Sequence, residues 1–202
     1  MNSARTNFLE PTELASAHAV LAPLAPAHHD ALVEAARDGE LWNLWYTTVP
    51  SPEGMRADIE RRLKLQEAGV YLPFVVLDPT DGRVIGSTNY LNGDPSVPRV
   101  EIGGTWYRAS TQRSAVNTEC KLALLTHAFE KLECAVVEFR THFLNSQSRR
   151  GIERLGAKFD GVLRNHMRMP NGTLRDTCVY SIVAAEWPAV KAHLRWQLAK
   201  PR

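Results

Sequence analysis

The run from Gln112 to Thr118, Gln-Arg-Ser-Ala-Val-Asn-Thr, gathers a cation, hydroxyls and side-chain amides into one polar turn. Before it, Trp106 and Tyr107 read as strand. After it, Leu122, Leu125, Phe129 and Leu132 recur at helical spacing. The turn therefore heads a helix, where unpaired backbone N–H groups and a positive partial charge make a natural anion site. Arg113 would supply a charge-assisted contact and Ser114 a hydroxyl. The competing reading is that Ser114 or Thr118 only caps the helix. Upstream, Glu101 stands in Arg-Val-Glu-Ile-Gly-Gly, and a pair of glycines inside a strand signals a bulge or a close backbone approach at Gly103-Gly104. Downstream, Asn145 and Ser148 lie at a strand-to-helix junction, where either a ligand contact or a simple helix cap accounts for them.

These groups sit in a chain of 202 residues, long enough for one domain with appendages and able to fold without disulfide or metal. Its 24 basic and 22 acidic side chains leave a formal charge of +2, too balanced for a nucleic-acid binder. The three cysteines form no CxxC pair, so neither a disulfide framework nor a zinc site is expected, and no metal is assigned. No apolar run reaches signal-peptide or membrane-span length, which points to the cytoplasm and away from membranes.

The elements that must position these residues follow from pattern. Residues 1–17 read as a polar arm and "HAVLAPL" as a first strand. Two helices come next, with Pro26 and Gly39 bracketing one, and Ser51 as N-cap and Gly69 past the end of the other. Between them Trp42, Trp45 and Tyr46 are either core or pocket wall. Three strands follow: "YLPFVVLD", "RVIGSTNYLN" and "RVEIGGTWYR". The helix after the polar turn leads to "AVVEFRTHF", a short helix closed by Gly156, and a long hairpin turning at Asn171-Gly172. Arg164, His166 and Arg168 alternate along that hairpin and so should share one face. A C-terminal helix over 188–202 completes a mixed α/β (α+β) chain.

This order resembles the GNAT N-acetyltransferases, and residues 144–187 resemble the RimJ/RimL-type branch, which includes ribosomal-protein N-terminal acetyltransferases. Asn145, Ser148, Leu155-Gly156, Asp176, Tyr180-Ser181 and Glu186-Trp187 carry that resemblance. It covers about 18–187 and implies a mixed, mostly antiparallel sheet flanked by helices. It also implies that the turn Gln112, Arg113, Ser114, Ala115, Val116, Asn117, Thr118 holds the diphosphate of acetyl-CoA through backbone N–H groups. The family writes glycine where Ala115 stands and a glycine or alanine where Asn117 stands. If Ala115 needed a positive φ, the turn would be strained.

The resemblance further implies that Glu101 takes the acceptor's proton, directly or through water. It places Asn145 on the CoA arm and Ser148 beside the departing sulfur. Trp42, Tyr46 and Gly104 would face the acceptor, Gly104 leaving open space where relatives carry an aromatic. The expected activity is acetyl transfer from acetyl-CoA to a primary amine, a protein N-terminus or a small amine, by direct attack. A CoA-binding sensor with little catalysis is the alternative. Relatives are often dimeric, so a homodimer is expected through the aromatic C-terminal helix.

Overall fold

The computed structural model describes residues 8–200. Eight strands form one sheet: β1 (Leu14–Ala15), β2 (Val20–Pro23), β3 (Leu72–Leu77), β4 (Val84–Asp94), β5 (Arg99–Tyr107), β6 (Val136–His142), β7 (Lys158–Arg168) and β8 (Leu174–Val183). Their spatial order is β1-β2-β3-β4-β5-β6-β8-β7. Every adjacent pair is antiparallel except β5 with β6. The parallel pair needs a crossover, and α3 (Val116–Glu130) supplies it. The other helices are α1 (His29–Arg37), α2 (Met55–Glu67), α4 (Ser146–Arg154) and α5 (Trp187–Ala199).

The sheet is covered on both faces, and each face has its own core. Leu124, Leu125 and Ala128 of α3, with Trp187, Val190 and Leu194 of α5, pack on Tyr90, Val100, Ile102, Val137 and Phe139. Leu32, Ala35 and Ala36 of α1, with Met55 and Ile59 of α2, pack on Val75, Val84 and Trp106. Strand alternation therefore assigns faces. Val100 and Ile102 look toward α3, so Glu101 and Gly103 look toward α1 and α2.

Local differences from the sequence reading have local causes. The polar arm is partly built in: Phe8 and Leu9 are buried in the α3-side core, and Leu14–Ala15 pairs with β2. Residues 1–7 of that arm lie outside the described residues. Ser51 does not cap α2. Its hydroxyl and carbonyl instead take the N–H of Gly54 in a preceding turn, and the helix begins at Met55. Gly69, at φ +74, closes α2 as expected, its N–H reaching Gln66 and that of Val70 reaching Leu65. The hairpin alternation fails. The register slips between Leu163 and Met167, with Asn165 at φ +51, so Arg164, His166 and Arg168 do not share a face. Arg164 pairs with Asp176, His166 meets Thr177, and Arg168 reaches back to the turn carbonyl of Gly172.

Candidate active site

Strands β5 and β6 are paired only at Arg99↔Val136, Val100↔Val137 and Glu101↔Glu138. Beyond Glu101, β5 runs on to Tyr107 and β6 to His142 without pairing to each other. The edge of β5 that faces β6 thus leaves alternate N–H and C=O groups free. A cleft of about 600 Å³ opens there, lined at one end by Gln112, Asn117, Asn145 and Ser148 and at the other by Glu101, Arg62, Arg140, His142 and Tyr46.

At the first end the polar turn does head α3. Ala115 sits at φ −68, ψ −26, already helical, so its methyl costs no backbone strain. The left-handed residue is Arg113, at φ +61. Val116 is buried in the core, and the N-cap residue, Ala115, makes no side-chain cap bond. The N–H of Val116 is taken by Ser114 Oγ at 3.3 Å, which leaves those of Asn117 and Thr118 without an intrahelical partner.

The side chains divide their work differently from the expectation. Ser114 donates to the carbonyl of Thr111 at 2.6 Å, so its hydroxyl serves the turn. The Thr118 hydroxyl is buried and accepts from Arg154 of α4 at 3.4 Å. Gln112 donates to the Tyr107 carbonyl, which fixes the strand-to-turn corner beside the cleft. Arg113 is exposed and lies off the cleft lining. Asn145 caps α4, its side-chain oxygen taking the N–H of Ser148 at 3.0 Å. Asn145 and Ser148 both line the cleft.

At the second end, Glu101 is buried. Its Oε2 accepts from Asn92 Nδ2 at 2.9 Å and lies 3.4 Å from Arg140 Nε. Burial pushes its pKa up, and Arg140 and Asn92 hold part of that rise back. A carboxylate with a raised pKa accepts a proton more readily than an ordinary one. Gly103 and Gly104 form the expected irregularity: Asn89 pairs with Gly103 but Ser87 pairs with Trp106, so two residues, Gly104 and Thr105, stand opposite Thr88. Gly104 has φ +57, and a Cβ there would sit 2.6 Å from Asn89 Nδ2. The glycine therefore admits the Asn89 amide, which fills the space that the sequence reading left open. Tyr46 joins the cleft, edge-on to His142 with ring centroids 6.4 Å apart. Trp42 does not; it packs against the α1/α2 core. Trp45 meets His142 edge-on, with ring centroids 5.2 Å apart.

Several cleft residues carry no sequence signal of their own. Lys121, one turn beyond Asn117 on α3, is buried with its Nζ on Thr105 Oγ1 at 2.7 Å and Thr88 Oγ1 at 3.5 Å, and burial lowers its pKa to about 8. Arg62 comes from the polar side of a helix pattern, yet it is buried under β4. His142 closes β6. Its Nδ1 takes the Leu144 N–H at 3.0 Å, so the neutral ring carries its proton on Nε2, which is buried without a partner. Knowing that β5 and β6 splay would have drawn attention to the end of β6; nothing short of the fold would have found Arg62 or Lys121. Among the described residues no cluster of His, Cys, Asp or Glu is arranged to hold a metal.

A family model described as an acetyltransferase (GNAT) domain matches residues 18–158. The protein YdaF of Bacillus subtilis (strain 168), whose name makes it a candidate ribosomal N-acetyltransferase, is 31% identical over 111 residues. That match covers 55% of this chain and 60% of YdaF, so the chain spans less than two thirds of that curated relative. A GCN5-related N-acetyltransferase from Brucella melitensis superposes with a TM-score of 0.84 at 29% identity, over 94% of this chain and 86% of the other. Mycobacterium smegmatis RimJ, solved with a CoA disulfide, shares the fold at a TM-score of 0.78 and 19% identity, over 93% of this chain and 95% of RimJ.

Proposed function

The chain belongs to the GNAT acetyltransferase family, and on that premise we propose that it transfers an acetyl group from acetyl-CoA to a primary amine. The observation that carries this reading is one cleft with two chemistries. A helix N-terminus with free N–H groups opens on it at one end, and a buried, proton-avid carboxylate stands at the other. Acetyl-CoA would lie with its diphosphate over the first turn of α3, near the N–H groups of Asn117 and Thr118. Its extended arm would run along the unpaired edge of β5, past Asn145 and Ser148.

The amine arrives protonated and must lose a proton before it can attack. Glu101 takes that proton. The nitrogen lone pair then adds to the thioester carbonyl, with a free N–H on the β5 edge placed to receive the developing oxyanion. Collapse breaks the C–S bond and releases CoA thiolate, which Ser148 can meet with a hydrogen bond. The amide keeps one N–H, and the second amine proton passes to the thiolate or to water. No acyl-enzyme is needed. The three cysteines are buried, and burial raises the thiol pKa values of all three, Cys120 to about 11 and Cys134 to about 12.

The acceptor class proposed is a protein N-terminus or a small amine; the name of YdaF favours the first. A homodimer and a cytoplasmic site of action remain parts of the same proposal. Among the described residues no helix is long and apolar enough to cross a membrane. Incubation with labelled acetyl-CoA and a panel of ribosomal proteins, peptides and small amines tests the activity. Label on an amine supports it. CoA binding without transfer to any amine would turn the reading into that of a sensor.

A further inference from the structure

We propose that the acceptor of this transferase carries a carboxylate close to its reactive amine, and that Arg62 is the group that receives it. The inference rests on the acetyl-transfer reading above and specifies its substrate. Arg62 is 3% exposed and lines the cleft. Its Nη1 donates to Ser87 Oγ at 2.8 Å and to Asn89 Oδ1 at 3.4 Å, and its Nε stands 2.8 Å from Asp58. Its Nη2 is buried with no hydrogen-bond partner. Arg62 thus brings to the cleft lining a buried guanidinium whose donors are not all satisfied within the protein, and an acceptor group arriving with a ligand would complete them.

The local charge agrees. Four arginines, Arg61, Arg62, Arg140 and Arg175, and Lys121 line the cleft against two carboxylates, Asp58 and Glu101. Asp58 is shared between Arg61 and Arg62. Arg140 is shared between Glu101 and Glu138. His142 adds its own unpartnered Nε2. The spare donor of Arg62 is not there for the CoA diphosphate. Arg62 binds Ser87 and Asn89, whereas Thr88, on the opposite face of β4, binds Lys121 of α3. Arg62 therefore lies across the sheet from the helix whose N-terminus would hold that diphosphate, on the face that carries Glu101.

The spacing sets the shape of the acceptor. Asn89, which anchors Arg62, pairs with Gly103, and Leu91 pairs with Glu101. The Asn89 anchor of Arg62 and Glu101 are thus offset by two strand positions on one face of neighbouring strands, roughly 7 Å along the strand direction. An amine at Glu101 and a carboxylate at Arg62 fit an amino terminus with Asp or Glu at its first or second residue. A small amino acid with a side-chain carboxylate presents the same pair of groups.

The test is a matched acceptor panel with acetyl-CoA in excess: peptides that differ only as Asp or Asn, or as Glu or Gln, at the first two positions, and free aspartate and glutamate beside their amides. The native protein should favour the acidic member of at least one pair by roughly a hundredfold in kcat/KM, mainly through KM, as expected for a buried charged donor that gains or loses its partner. Preference confined to peptides assigns an acidic amino terminus; preference confined to free amino acids assigns a small substrate. Arg62→Met should bring the ratio near one, and Arg62→Lys should restore part of it. CoA-induced thermal stabilisation reports whether each variant is folded. Equal rates for acidic and amide members with the native protein overturn the inference while leaving acetyl transfer intact, as does a ratio that survives in folded Arg62→Met. Acetylation of no amine at all overturns the transfer reading, and this one with it.

Discussion

The two ends of the cleft are made of different material. The α3–α4 end is built from backbone: free N–H groups of Asn117 and Thr118 at the start of α3, and the start of α4 capped by Asn145. The end under α1 and α2 is built from charge: Glu101, Arg62, Arg140 and Arg175 reach it from four separate elements. A backbone site tolerates side-chain drift, so Ala115 stands in helical conformation where the family writes glycine. A charged site does not, because each group's ionisation depends on its neighbours. Substitutions at the two ends should therefore fail in different ways.

The largest expected effect is at the charged end. Glu101→Gln keeps the shape and the Asn92 contact region but removes the base. It should slow acetyl transfer by about 10² to 10⁴, with acetyl-CoA affinity nearly unchanged. A defect confined to CoA affinity, read by calorimetry, would break the division between the ends.

Lys121 lies between the two regions and tests what the cleft costs the fold. Its pKa falls from 10.5 unfolded to about 8 folded, so the unfolded chain binds the extra proton between those values. Stability should rise with pH across that window, and the full penalty should be present below about pH 8. Lys121→Met should stabilise the protein near pH 7, by at most on the order of 3 kcal/mol since the threonine hydrogen bonds are also lost, and should flatten that rise. Urea titrations at pH 7 and pH 10 read both.

At the backbone end the effects should be smaller. Arg113→Gly relieves a left-handed non-glycine residue and should raise stability by about 1 kcal/mol, while weakening CoA binding through loss of one exposed charge. Arg113→Glu should weaken CoA binding further without the gain in stability. Smallest of all, Ala115→Gly should leave CoA affinity alone and cost about 1 kcal/mol or less of stability, because the position is already helical. A marked rise in affinity would mean that alanine had been obstructing the turn.

How much the sequence disclosed follows the same division. The turn before α3, the bulge at Gly103-Gly104 and the Asn145 junction are local patterns, and the fold class followed from the order of such patterns. Glu101 was singled out through the family resemblance, and its place in the cleft depends on where β5 parts from β6. Arg62 was not: it belongs to the polar pattern of α2, and only the contact between α2 and β4 buries it. Lys121 was masked in the same way within the helix after the turn. The hairpin misled because alternation presumes an unbroken register, and the slip after Leu163 has no strong signal in "LRNHMR". Trp42 and Tyr46 stand close in sequence yet separate into core and cleft, a choice made by the loop's path across the sheet.

The most direct test of the account is kcat/KM against pH for the native protein and for Glu101→Gln, both saturated with acetyl-CoA and given the same amine. The native rate should fall at low pH through a limb displaced upward from the ordinary carboxylate value, as burial of Glu101 dictates. The variant should lack that limb, and its deficit should shrink as pH rises and more of the amine arrives neutral. Full activity of Glu101→Gln near pH 7, or a native profile with the same acid limb as the variant, would contradict the assignment of the base to the charged end of the cleft.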